Sequence, residues 1–108
     1  MSDSDRDRQP VFTLLVQVGR SEGDGLPEGT TGAGLLCYAA AVDEEEAVRE
    51  TVAVLRQADM NPLEVEGLGK LEEREAEGHE IDAAERALMQ RAATDNAVIV
   101  AQTTLFDD

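Results

Sequence analysis

Gly34–Ala58, GLLCYAAAVDEEEAVRETVAVLRQA, is the stretch from which the rest of the chain can be read. Leu35 to Val42 is apolar apart from the hydroxyl of Tyr38. A run of that length bounded by turn residues predicts a strand buried on both faces. The sequence then switches at Asp43-Glu44-Glu45-Glu46. Asp43 is a suitable N-cap, because its carboxylate can accept from free amides of a first helical turn. Glu46 is placed to reach back to the Asp43 amide as an acidic capping box, with Val42 and Ala47 at the hydrophobic-staple positions. The glutamates sit at the positive end of the helix dipole, each worth roughly 0.3–1 kcal/mol before they repel one another. Val48, Val52 and Leu55, with Thr51 and Ala58, then form an apolar stripe at helical spacing, and Glu45 and Arg49 an i,i+4 pair. Consecutive carboxylates on a helix diverge rather than converge on one ion, so this cluster is read as a helix start and not as a metal site.

Composition bounds the rest. At 108 residues the chain is one domain able to bury a core without disulfides or metal. Its aromatic residues are Phe12, Tyr38 and Phe106, so the core is built from Val, Leu, Ile and Ala. The net charge is −15, and Lys70 is the single lysine. Nucleic acid and membrane surfaces are anionic, so neither is an expected partner. The acidity fits a hydrated surface adapted to salt, or an acidic partner for a basic protein. Cys37 is the single cysteine, which leaves no internal disulfide and no cysteine-based zinc site. Lying in the apolar strand, it reads as a buried, inert thiol. No signal peptide or membrane-spanning run is found, and the expectation is a soluble cytoplasmic protein.

Residues 1–10, MSDSDRDRQP, read as a disordered polar tail, with a single domain over 11–106. The spacing Asp3-x-Asp5-x-Asp7 resembles a calcium-loop start but has Arg8 where the turn glycine belongs and Leu14 where the bidentate Glu belongs. Val11–Val18 is a strand with one apolar and one mixed face, expected at a sheet edge or against another subunit. Gly19–Gly34 is a glycine-rich loop. It lacks the P-loop lysine, opens no helix, and holds Glu22, Asp24 and Glu28, so it is read as a hairpin connection rather than a phosphate cradle. Asn61-Pro62 ends the central helix. Leu63–Leu71 alternates as a half-exposed strand, with Gly67 and Gly69 marking a bulge, a bend or a break into two strands within residues 62–75. Glu72–His79 is an acidic connection. A second helix spans about Glu80 to Ala93 on a stripe of Ile81, Ala84, Leu88 and Ala92, with an Asp82–Arg86 pair. Ala97–Thr104 is a last strand whose continuous apolar start predicts a central, doubly covered place.

The order β-β-α-β-α-β predicts an α+β fold with a single antiparallel or mixed sheet. Crossover rules would place both helices on one face. If residues 62–75 split, the chain from Leu35 onward matches the ferredoxin-like plait in order of elements, with an extra N-terminal strand at an edge. The other face then needs cover, and a homodimer packing sheet to sheet would supply it.

Chemistry is sparse. His79, the sole histidine, stands in Glu77-Gly78-His79-Glu80, where carboxylates could raise its pKa. Tyr38 offers a hydroxyl on an apolar strand. These two are the candidate ligand-binding residues, and no catalytic residue, metal ligand or cofactor is assigned. The expected function is a non-enzymatic dimeric binding or interaction module. Two alternatives stand beside it. One is a small enzyme or small-molecule-binding domain with its site between the sheet face and the glycine-rich loop. The other is an acidic inhibitor of a basic protein.

Overall fold

The structure is a computed structural model, and it describes residues 10–107. The expected tail and its calcium-like spacing lie outside the described residues, apart from Pro10. The elements are β1 (Val11–Gly19), β2 (Thr30–Ala40), α1 (Glu44–Gln57), β3 (Asn61–Lys70), α2 (Leu71–Ala76), α3 (Ala83–Asp95) and β4 (Val98–Asp107). The four strands form one antiparallel sheet in the order β3-β1-β2-β4. The α+β class and single sheet agree with the sequence reading.

The strand order does not follow the expected plait. β1 is not an edge addition but a central strand, hydrogen-bonded to β2 on one side and β3 on the other. The last strand is not central but an edge. Its apolar start has another cause: Val98 packs into the core on one sheet face while Ile99 and Ala101 pack on the opposite one. An edge strand covered on both faces at one end has the same local pattern as a central strand.

The helices also divide between the faces. Phe12, Leu14, Val16 and Val18 of β1 and Ala33, Leu35, Cys37 and Ala39 of β2 pack with Ala47 and Leu55 of α1. Tyr38, on the opposite face of β2, packs with Ile81 and with Met89 and Ala92 of α3. The rule behind the one-face expectation applies to crossovers between parallel strands. β2 and β3 are such a pair, both antiparallel to the β1 that lies between them. β3 and β4 run in opposite senses at the two edges, so α3 is free of that constraint and covers the apolar face that α1 leaves bare. The premise of a wholly uncovered sheet face therefore falls away.

Local signals set the element ends. Asp43 caps α1, its carboxylate accepting from the Glu46 amide at 2.8 Å. Glu46 reaches back one residue further than expected, accepting from the Val42 amide at 3.2 Å. No staple forms, because Val42 is 61% exposed. At the other end Asp59 takes a left-handed conformation, while the Asp59 and Met60 amides donate to the Arg56 and Leu55 carbonyls. Along α1 the buried residues are Ala47, Thr51 and Leu55. The Thr51 hydroxyl is buried without a hydrogen-bond partner among the described residues.

β3 is one bent strand rather than two. Its register against β1 slips twice, with Leu63 and Leu68 left out of the pairing. The segment read as an acidic connection begins with helix α2. Gly78 (φ +92°) closes it, with the Gly78 amide donating to the Glu75 carbonyl and the His79 amide to the Arg74 carbonyl. In α3 the expected Asp82–Arg86 pair is replaced by a cap. Asp82 accepts from the Glu85 amide at 2.8 Å, and Arg86 pairs instead with Glu75 of α2.

Candidate functional site

Tyr38 is fully buried on β2. Its hydroxyl donates to Glu85 Oε2 of α3 at 3.3 Å. Arg74 of α2 places Nη1 3.6 Å from the same oxygen and donates to the buried Thr13 hydroxyl at 3.3 Å. Burial, reinforced by the Glu85 carboxylate, pushes the Tyr38 pKa up, with Arg74 opposing the shift. The four side chains link β1, β2, α2 and α3. Their protons and charges are engaged with one another, and Tyr38 has no surface on which to meet a ligand.

His79 lies in the loop after α2, half exposed, with Nε2 3.5 Å from Glu77 Oε2. It borders an open groove of about 390 Å³ shared with Gly67, Gly69, Glu73 and Arg74. Tyr38 is not part of that groove; Arg74 reaches from its wall inward to the Tyr38 cluster. The two sequence-derived candidates thus occupy separate surroundings. No group of three or more His, Cys, Asp or Glu suited to a metal ion occurs among the described residues. Cys37 is buried, and desolvation pushes its thiol pKa up to about 11.

The glycine-rich loop is held shut from within. The Arg20 guanidinium donates to the Asp24 carboxylate (3.0 Å), to the Pro27, Leu26 and Thr30 carbonyls, and to the Thr30 hydroxyl. Asp24, itself buried, also accepts from the Ser21 amide at 2.8 Å and the Leu26 amide at 2.9 Å. These amide bonds, led by Ser21, hold its carboxyl below the usual range. The arginine and the buried carboxylate in this loop are therefore spent on its own closure.

What stays open is the outer side of β4. It is paired to β2 on one side alone, and its residues from Gln102 to Phe106 are exposed. Val100, Leu105 and Phe106 are among the exposed large apolar side chains. From Val98 to Phe106 the strand contains no ionisable residue and no proline. The opposite edge, β3, contains Pro62, Glu64, Glu66 and Lys70 and two register slips. Charges, proline and bulges are the devices that keep an edge from pairing with another chain. β3 has them all; β4 has a register slip at Ala101 but neither charge nor proline from Val98 through Phe106.

Residues 11–107 match the family model described as Domain of unknown function (DUF8846). The chain belongs to that family. The match runs from the first residue of β1 to the last of β4, so the DUF8846 unit is the whole sheet with its three helices. No curated protein and no solved structure matches the chain. No helix among the described residues is long and apolar enough to cross a membrane.

Sequence reasoning missed Arg74, Glu85 and the Arg20–Asp24 clasp. Asp24 carried a signal: an Asp in a loop flanked by glycines is suited to accepting local amides. Arg74 carried none, since Thr13 and Glu85 come near it only through the tertiary fold.

Proposed function

We propose that the protein is a non-enzymatic interaction module that binds another polypeptide by strand addition along β4. The observation that carries this reading is the β4 edge itself, free of charge and proline from Val98 to Phe106. An edge strand presents a row of unpaired amides and carbonyls, and an added strand satisfies them while side-chain contacts on either face supply the apolar gain. Val100, Leu105 and Phe106 stand where such contacts would form. Tyr38 is buried and bonded to Glu85, and His79 lies apart from it, half exposed at the rim of an open groove, so the two do not form one centre.

Backbone amide exchange tests the proposal. The probe is a synthetic peptide of the sequence Ala97–Phe106, flanked by lysines for solubility. It is expected to slow exchange of the β4 amides that do not bond to β2, and to leave β3 unchanged. His79→Ala and Tyr38→Phe should retain the effect. Unaltered exchange in β4 at saturating peptide, with the chain diluted until it sediments as a monomer, would overturn strand addition.

A further inference from the structure

We infer that the strand received by β4 is the β4 of a second copy of this chain, joined about a two-fold axis so that two four-stranded sheets become one of eight. The inference rests on the strand-addition reading and names its partner. A two-fold interface sets a segment against itself, so a segment carrying charge of one sign would meet like charge at close range, whereas an uncharged one meets none. With a net charge of −15, most of this molecule's surface is ill-suited to meeting itself. The Val98–Phe106 segment is suited, being free of charge throughout. A basic partner would be drawn to an edge that displays acids, and that edge is β3, with Glu64 and Glu66.

The register of β4 supports the same partner. Val100, Thr103 and Leu105 pair with Cys37, Leu35 and Ala33, all on the α1 face of the sheet. Gln102 and Thr104 pair with Leu36 and Gly34, on the opposite face, and Ala101 is skipped. An antiparallel pairing centred on Thr103 therefore keeps every face in phase. It sets Thr103 against itself and Gln102 against the Thr104 of the second copy. Past the irregularity at Ala101, it sets Val100 against the second copy's Leu105. The exposed Val100 and Leu105 then meet each other, twice by symmetry.

Sedimentation equilibrium of the full chain, at low and at high salt, tests the assembly. A dimer is expected that tightens with salt, because screening relieves repulsion between two acidic bodies while the contact itself has no charge to screen. Val100→Glu or Leu105→Glu should each raise the dissociation constant at least about tenfold. Both positions are exposed, so the fold should survive, as circular dichroism would verify. Leu63→Glu, exposed on the other edge, should have no such effect. A Thr103→Cys variant should oxidise to a covalent dimer, with Cys37 remaining buried and unreactive. A monomer at every salt and concentration, with β4 still protected by the peptide, would overturn the second-copy inference and leave strand addition standing. A dimer indifferent to Val100→Glu and Leu105→Glu, and not captured by Thr103→Cys, would place the contact elsewhere and overturn the inference. Loss of the peptide effect as well would remove the strand-addition reading with it.

Discussion

Asp24 shows how one residue can give a long loop a fixed shape. Its carboxylate accepts from two backbone amides and an arginine while buried. Glycines on either side, Gly23 and Gly25, take positive φ so that the chain can wrap around it. Because Asp24 gives up its proton more readily folded than unfolded, its contribution to stability is complete above its ordinary pKa of 3.8. That contribution fades as pH falls through 3.8 toward the lower folded value. Asp24→Asn should therefore unfold at lower urea concentration than the parent at neutral pH. The difference should shrink as pH falls below 3.8 toward the lower folded value, where the parent carboxylate takes up its proton as well. An equal difference at neutral and at acid pH would mean that shape, and not charge, holds the loop. The residue scale is also where the sequence says least about a site. Arg74 looks like any other arginine until Thr13, 61 residues away, and Glu85 are brought to it.

At the scale of elements, the strand-to-helix passage from β2 to α1 was legible because several local signals agreed. The apolar run, the Asp43 cap and the Asn61-Pro62 stop all point to the same boundaries. α2 was not legible, because LEEREA has a single large apolar residue, Leu71, and offers no stripe; its one cue is the glycine that closes it. The edge position of β4 was hidden because α1 and α3 cover its start on both faces, which gives an edge strand the apolar run of a central one. α2 and α3 should depend on the cluster that ties them to the sheet. Arg74→Met removes the donor to Thr13 and leaves that buried hydroxyl and the Glu85 carboxylate short of a partner. A loss of about 1–3 kcal/mol is expected. Amide exchange should quicken in α2 and α3 while α1, on the other face, is unchanged. Faster exchange spread evenly over all three helices would show that the cluster is not a local tie.

For the whole molecule, charge sets the remaining question. There are 24 acidic and 9 basic residues, so 24 − 9 = 15 carboxylates have no basic counterpart even if every base is paired one to one. The core opposing their repulsion is aliphatic and thin, with Leu14, Val16, Leu35 and Leu55 among its largest buried members beside Tyr38. Repulsion of this kind favours the expanded chain, and salt weakens it over distances beyond a Debye length, about 10 Å at 0.1 M and 3 Å at 1 M. The few cross-element ion pairs, such as Arg86 with Glu75 and Arg74 with Glu85, are weakened by the same screening, but they are outnumbered by unpaired acids. The melting temperature should therefore rise between about 0.05 and 1 M sodium chloride. A gain of about 1 kcal/mol corresponds to roughly 4–8 °C for a domain of this size. Dilute protein is required, since association at β4 would add a concentration-dependent term of its own. Screening should produce most of the rise at the low end of the salt range, whereas a steady climb at the high end would point to salt acting on apolar burial. A flat or falling curve would mean that repulsion among the acids is not what limits this fold.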